Sequence, residues 1–475
     1  MGERIVLYPA PGMGHMVPLI ELGKRLVTNR PSLSITVITS TLPFDYNSAA
    51  HSAYIAAVSA AFPSITFHAL PTLSTLRHLS TYPHTEDILF ELIPRNNPNL
   101  RQILNSLSPI SAFIIDFFCT SAIEVGRSLN IPTYFFFISG ASALALFLNF
   151  PIIDRTTSQG FRDSGIEFNI PGLPPIPATA LPPSMLDRGE TYREFVNVGA
   201  QMANSDGVIV NSFEGFEPRA VRVLDEGVCV PKGFRTPPVY CVGPLISVVD
   251  SGGSGGGERH ESLSWLDSQP SRSVVFVCFG SSALFTKEHL AEIAHGLERS
   301  GQRFLWVVKD PPPLDDISKR FTKPPIADLD KVLPAGFLDR TKGRGFVIKS
   351  WVPQTAILAH EAVGAFVTHC GWNSTLEAVC TGVPLIACPL FAEQRFNRVV
   401  LVEEARVALP MEEEQGTRFV RSDEIERRVR EIMESEEGVA VRKRMLDMKS
   451  KAKIAIGEDG SSTLALARLV ESWRR

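Results

Sequence analysis

The sequence predicts an α/β chain of two doubly wound halves, and three observations carry that reading. Short β-rich runs alternate with helical patterns from the start, which implies parallel sheets with helices on both faces. The alternation begins afresh after Ser251-Gly252-Gly253-Ser254-Gly255-Gly256-Gly257, a flexible linker by composition. A chain of 475 residues is also too long for one hydrophobic core.

In the first half, residues 5–8 read as a strand and 11–14 as a turn. Residues 16–29 follow as a helix, with Leu19, Leu22 and Leu26 on one face and Pro18 in the first turn. Residues 35–40, 65–70, 112–118, 134–137 and 208–211 are further strands, and 239–243 close the half. In the second half, 274–279 read as a strand and Gly280-Ser281 as a turn. The helix 287–300 places Leu290, Ile293, Ala294 and Leu297 at i, i+3, i+4 and i+7. Residues 304–308, 346–348, 365–368 and 385–388 continue the strand series, and 311–334 form a proline- and charge-rich excursion. The expected division is residues 1–245, a linker at 246–262, a second domain at 263–455 and a terminal segment at 456–475. Two such halves leave a cleft between them, and ligands of doubly wound sheets bind beyond the carboxyl ends of the strands.

Composition narrows the function. A net charge of −4 lacks the clustered positive field that nucleic acid requires. Seven cysteines, an odd number with no Cys-x-x-Cys pair, argue against a disulfide framework or structural zinc and fit the reducing cytoplasm. Cys278 and Cys388 lie in apolar stretches and read as small buried hydrophobes. No cleavable leader is visible at residues 1–11. Residues 134–153 carry no charge and match a membrane span in length, but Gly140, Asn149 and Pro151 interrupt them. They read as a buried strand, loop and helix.

His15 follows the first strand in Pro11-Gly12-Met13-Gly14-His15. Glycines there allow a sharp turn and close approach of a ligand. A neutral imidazole at a helix start is suited to take a proton; the bland alternative is a helix cap. Asp116 is the only charge in Ala112-Phe113-Ile114-Ile115-Asp116-Phe117-Phe118. A buried carboxylate needs a partner, and on one imidazole nitrogen it would fix the tautomer and stabilise the imidazolium. Its alternative is a strand-end aspartate capping a helix that begins near Thr120. The glycines do not complete a G-x-G-x-x-G fingerprint, and neither a phosphate loop nor a nucleophile elbow occurs.

In the second half, polar side chains cluster after each of three consecutive strands. Trp351-Val352-Pro353-Gln354 offers a flat indole for a base and an amide for a ribose. His369-Cys370-Gly371-Trp372-Asn373-Ser374 turns into a helix, with Glu377 expected in its first turn, as a phosphate site would. Phe391-Ala392-Glu393-Gln394 sets an acid beside an amide, able to bond sugar hydroxyls. The plain alternative is capped helices with both tryptophans in the core.

Residues 351–394 closely resemble the signature box of plant family 1 UDP-glycosyltransferases. The chain from His15 to Gly460-Ser461-Ser462 is similar to that family, nearest the branch acting on flavonoids, chalcones and other phenolics. The resemblance implies a GT-B fold, with two Rossmann-like domains facing across a cleft. It assigns Trp351 and Val352 to uracil, and Gln354 and Glu377 to ribose. His369, Gly371, Asn373, Ser374 and the Gly280-Ser281 turn fall to the diphosphate. Trp372, Glu393 and Gln394 fall to a sugar that the terminal glutamine marks as glucose. His15 and Asp116 match the catalytic pair, and a C-terminal helix near 461–473 crosses back to the first domain.

Ala283 stands where relatives often have glycine, and Ile138 where many have threonine, with Ser139 adjacent. The implied reaction is inverting and metal-independent, needs no cofactor beyond UDP-glucose, and joins a sugar to a small aromatic acceptor. The expected protein is a cytoplasmic monomer without stable membrane insertion. C-glycosylation, another UDP-sugar, a non-catalytic nucleotide-sugar binder and a nicotinamide oxidoreductase are the competing readings. Phe117, Phe118, Phe135, Phe136, Phe137 and Phe147 suit either a phenolic pocket or a core.

Overall fold

The computed structural model describes residues 3–42, 48–75, 77–78, 81–82, 84–162, 164–247, 259–280, 285–309, 327–349, 351–414 and 419–474. The glycine-serine tract, Ser281, Ala283 and most of the 311–334 excursion lie outside them. The chain divides into two compact units, Met1–Ile246 with Ile454–Arg475, and Ser247–Lys453.

The first unit is built on β1 (Arg4–Tyr8), β2 (Ser34–Thr39), β3 (Ile65–Ala69), β4 (Ala112–Asp116) and β5 (Thr133–Phe137). After a two-residue antiparallel ladder of β6 (Glu167–Phe168) and β7 (Ile176–Pro177), β8 (Gly207–Val210) and β9 (Val239–Cys241) complete it. The sheet order is β3-β2-β1-β4-β5-β8-β9, parallel throughout. Every residue of β4 and β5 is buried. A strand covered on both faces has no polar side to present, so it reads as an unbroken apolar run.

The second unit holds β10 (Val274–Cys278), β11 (Arg303–Val307), β12 (Gly345–Ile348), β13 (Val363–Thr368), β14 (Leu385–Ala387) and β15 (Ala408–Pro410). Their order is β12-β11-β10-β13-β14-β15, again all parallel. Counted within the unit this is 3-2-1-4-5-6, the doubly wound nucleotide-binding order. Each sheet reverses direction beside its first strand, between β1 and β4 and between β10 and β13. Helices leave toward opposite faces there, which opens the crevice where such folds bind ligands.

The helix Ser461–Ser472 belongs to the first unit. Ser462 donates to the Gly243 carbonyl at 2.5 Å, and Arg25 donates to Thr463 Oγ1 at 3.1 Å. Ala465, Leu466, Leu469 and Trp473 enter the same core as β1 and β2.

Local boundaries differ from the sequence reading for physical reasons. The first helix starts at Met13, with Gly12 at φ 112° as its N-cap, so Pro18 lies inside it. The strand expected over 112–118 stops at Asp116, because that carboxylate accepts the Phe118 N–H and turns residues Phe117–Cys119 into a 3-10 helix. The next helix begins at Ala122 rather than near Thr120. Glu377 is in the second turn of the helix Trp372–Thr381, not the first. Pro151 is inside the helix Ala141–Thr156, so the charge-free stretch is a buried strand and a largely buried helix. Among the described residues no helix is long and apolar enough to cross a membrane.

Candidate active site

In the first unit the switch point brings His15 and Asp116 together. His15 sits in the first turn after β1, and Asp116 ends the neighbouring β4, with Tyr8 level with Ile115. His15 Nδ1 lies 2.9 Å from Asp116 Oδ2, while Asp116 Oδ1 accepts the Phe118 N–H at 2.9 Å. The carboxylate is fully buried, and the imidazole is 19% exposed. With Nδ1–H given to the carboxylate, the lone pair of the neutral ring lies on Nε2. One oxygen meets the histidine, and the other caps the 3-10 turn Phe117–Cys119 rather than the helix expected near Thr120. Gly12 holds φ 112°, a conformation that itself favours glycine, whereas a Cβ built on Gly14 would touch nothing within 4 Å.

Aromatic rings surround the pair. Phe118 lies 5.4 Å from the His15 ring and 4.3 Å from Phe117. Phe137 and Phe147 join Phe117, and Phe90 and Phe195 join Phe118. Phe136 instead packs in the core on the β1–β2 side. Phe90 and Phe195 come from the helices Thr85–Arg95 and Glu190–Ala203, which sequence periodicity had not been read to place.

In the second unit the loops after β12, β13 and β14 carry the polar side chains. Trp351 follows β12 and is 75% exposed, and Val352 beside it is buried. Gln354 Nε2 donates to Glu377 Oε2 at 2.6 Å and to Ser374 Oγ at 3.0 Å. This links the loop after β12 to the helix after β13. Burial raises the Glu377 carboxyl above its ordinary range, with the Gln354 bond working against it. Gln394 is buried, and its Oε1 accepts the Leu390 and Phe391 N–H groups at 2.9 and 3.0 Å. Its amide NH₂ is then the end available to bond a sugar. Asn397 donates to Glu393 at 3.4 Å and to the Cys370 carbonyl at 3.0 Å, bracing two of these loops together. Cys370 and Ala392 hold φ of 64° and 50°, a conformation costly for residues with a side chain and concentrated at functional loops.

His369 is the centre of this half. A Cβ on Gly371 would come within 2.4 Å of its Nε2, and one on Gly280 within 2.8 Å. Glycine on both sides is therefore what lets the imidazole sit at the carboxyl ends of β10 and β13. Burial, with a smaller contribution from Lys309, lowers its pKa to about 4, so the ring is neutral at physiological pH. Its Nδ1 is buried with no hydrogen-bond partner among the described residues. An orphaned buried nitrogen beside a helix N-terminus is what an incoming phosphate oxygen satisfies. The helix Trp372–Thr381 has no side-chain cap, and its N-cap Gly371 abuts the Nε2 edge of the same ring.

Residues 257–436 match the model of the family described as UDP-glucoronosyl and UDP-glucosyl transferase. The anthocyanidin 5,3-O-glucosyltransferase of a Rosa hybrid cultivar is 45% identical, over 100% of this chain and 99% of its own length. The chain belongs to the UDP-glycosyltransferase family. The phloretin 2'-O-glucosyltransferase of Pyrus communis is 46% identical over 99% of this chain and all of its own. The UDP-glucosyltransferase of Polygonum tinctorium that glucosylates indoxyl superposes with a TM-score of 0.89, at 36% identity over 100% of this chain and 99% of that one. The GT-B fold expected from the sequence is thus established along with the family.

This UDP-glycosyltransferase draws the expected donor residues from three loops of one sheet. Gln354, Ser374 and Glu377 are joined by hydrogen bonds, and Gly371 abuts His369. Trp372 is buried in the first turn beside Asn373, and Glu393 is the N-cap of the helix that Gln394 begins. Ser281 lies outside the described residues. Asn397 was not foreseen; an asparagine three residues after a glutamine carries no signal until folding brings it against Cys370.

Proposed function

We propose that the chain transfers glucose from UDP-glucose to a hydroxyl of a small phenolic acceptor, with inversion at the anomeric carbon. The observation that carries this is the bond between His15 and fully buried Asp116 at the switch point of the first sheet. The rose and pear relatives are named for anthocyanidin and phloretin, both phenols, which supports the acceptor class. His15 Nε2 takes the phenolic proton, and Asp116 stabilises the resulting imidazolium. The acceptor oxygen attacks the anomeric carbon opposite UDP, and the bond to the β-phosphate oxygen breaks with its electron pair leaving on UDP. Trp351 and Val352 hold uracil, Gln354 and Glu377 the ribose, and Trp372, Glu393 and Gln394 the sugar. Gly371, Asn373, Ser374 and the N-terminus of their helix receive the diphosphate. That electrostatic contribution supports a reaction without metal. Seven unpaired cysteines support a cytoplasmic setting. One chain carries both half-sites, so the reading requires no second copy.

The test is incubation with UDP-glucose and a phenolic panel, with products read by mass spectrometry. A gain of one hexose per phenol supports the reading, and loss of that hexose in hot acid assigns an O-link, whereas resistance assigns a C-link. No product from any phenol, with a melting temperature that UDP-glucose leaves unmoved, would sink it.

A further inference from the structure

The donor residues of the second unit carry a deficit of positive charge. A nucleotide diphosphate sugar brings two negative charges, and UDP leaves with more. The residues named above offer two carboxyls, Glu377 and Glu393, a neutral imidazole and a helix N-terminus, but no cation.

Lys309 stands where one is needed. It follows β11, the strand beside β10, and its Nζ donates to the Gly280 carbonyl at 2.6 Å. Gly280 holds φ of 76° and lies against the His369 ring. The ammonium is close enough to His369 to add to the lowering of its pKa and to Cys278 to oppose the burial that raises that thiol, and burial lowers its own. Among the described residues no carboxylate pairs with it. A desolvated ammonium bonded only to a carbonyl is costly unless a ligand supplies the countercharge. The cation, the buried unpartnered Nδ1 of His369 and the uncapped helix at Gly371 all belong to the carboxyl ends of β10, β11 and β13.

We propose that Lys309 is a further donor-binding residue, whose ammonium holds the diphosphate beside Gly280 and His369. It takes up charge as the bond between the anomeric carbon and the β-phosphate oxygen breaks onto UDP. Through Gly280 it also fixes the turn after β10. This rests on the nucleotide-sugar reading above, and the test separates the two.

The full chain is compared with Lys309→Gln, which keeps a donor for the Gly280 carbonyl but no charge, and with Lys309→Arg, which keeps the charge. Calorimetry measures UDP and uridine binding, and steady-state rates with UDP-glucose give kcat and KM. Charged hydrogen bonds of this kind correspond to roughly 10- to 100-fold in affinity, so Lys309→Gln should lose about that much for UDP. Uridine binding should be unchanged, kcat should fall, and Lys309→Arg should recover most of both. UDP bound equally by wild type and Lys309→Gln overturns the proposal. So does an equal loss for UDP and uridine, which would make the lysine a structural support of the turn. Wild-type protein that binds no UDP would instead overturn the nucleotide-sugar reading itself.

Discussion

One carboxylate performs two tasks: Asp116 Oδ2 lies 2.9 Å from His15 Nδ1, while its Oδ1 accepts the Phe118 N–H. The residue that orients the base therefore also turns the chain from β4 into the aromatic segment beside it. Asp116→Asn keeps an acceptor for the Phe118 N–H and removes the charge. Turnover should fall on the order of 10²–10⁴-fold with the melting temperature little changed. Asp116→Ala loses the cap as well and should cost about 1 kcal/mol more in urea unfolding. Equal activity in Asp116→Asn and wild type would remove the carboxylate from the chemistry.

The glycines around His369 make a steric prediction. A Cβ at Gly371 would sit 2.4 Å from Nε2, closer than any van der Waals contact, so Gly371→Ala must displace the ring. Gly280→Ala meets the same ring at 2.8 Å and adds a φ of 76° that disfavours alanine, about 1 kcal/mol of strain. Both variants should weaken UDP binding by at least about tenfold, a loss of one charge-assisted hydrogen bond. Titration calorimetry with UDP reads this directly.

Burial holds the His369 pKa near 4, below its ordinary 6.5, so protonation favours the unfolded chain between those values. Native stability attributable to this ring is present above pH 6.5 and is lost as pH falls toward 4. The slope approaches about 1.4 kcal/mol per pH unit within that window. Glu377, raised by burial, works in the opposite sense, but it is common to wild type and a His369→Gln variant. The stability difference between those two proteins should shrink from pH 7 to pH 5 in urea titrations. A difference independent of pH would show the ring to be solvated.

Gln394 shows how a binding residue can be partly structural. Its Oε1 satisfies two backbone N–H groups of the Leu390–Phe391 turn. Gln394→Ala should cost about 1–3 kcal/mol of stability by leaving them unpaired, besides weakening UDP-glucose relative to UDP. Gln394→Glu keeps the acceptor and should restore most of the stability.

The central strands were legible because they are covered on both faces, which leaves runs such as Val274-Val275-Phe276-Val277 unbroken. Lys287–Ser300 was legible to the residue because leucine and isoleucine recur at helical spacing and Gly301 ends it in a left-handed turn. The strand Ala408–Pro410 was not, being three residues long and paired only through tertiary contact with β14. In the candidate site, the expected polar residues do stand at the strand ends, after β1, β4, β12, β13 and β14. Lys309 and Asn397 escaped because their partners, the Gly280 and Cys370 carbonyls, are backbone atoms that no side-chain pattern announces.

The most direct measurement is the turnover of His15→Ala with UDP-glucose and a weakly acidic phenol, beside its affinity for UDP. The ring is replaced in the first unit, while every proposed donor residue is in the second. Turnover should drop about 10²–10⁴-fold with UDP affinity within about twofold of wild type. Turnover unchanged by the loss of this imidazole would contradict the account.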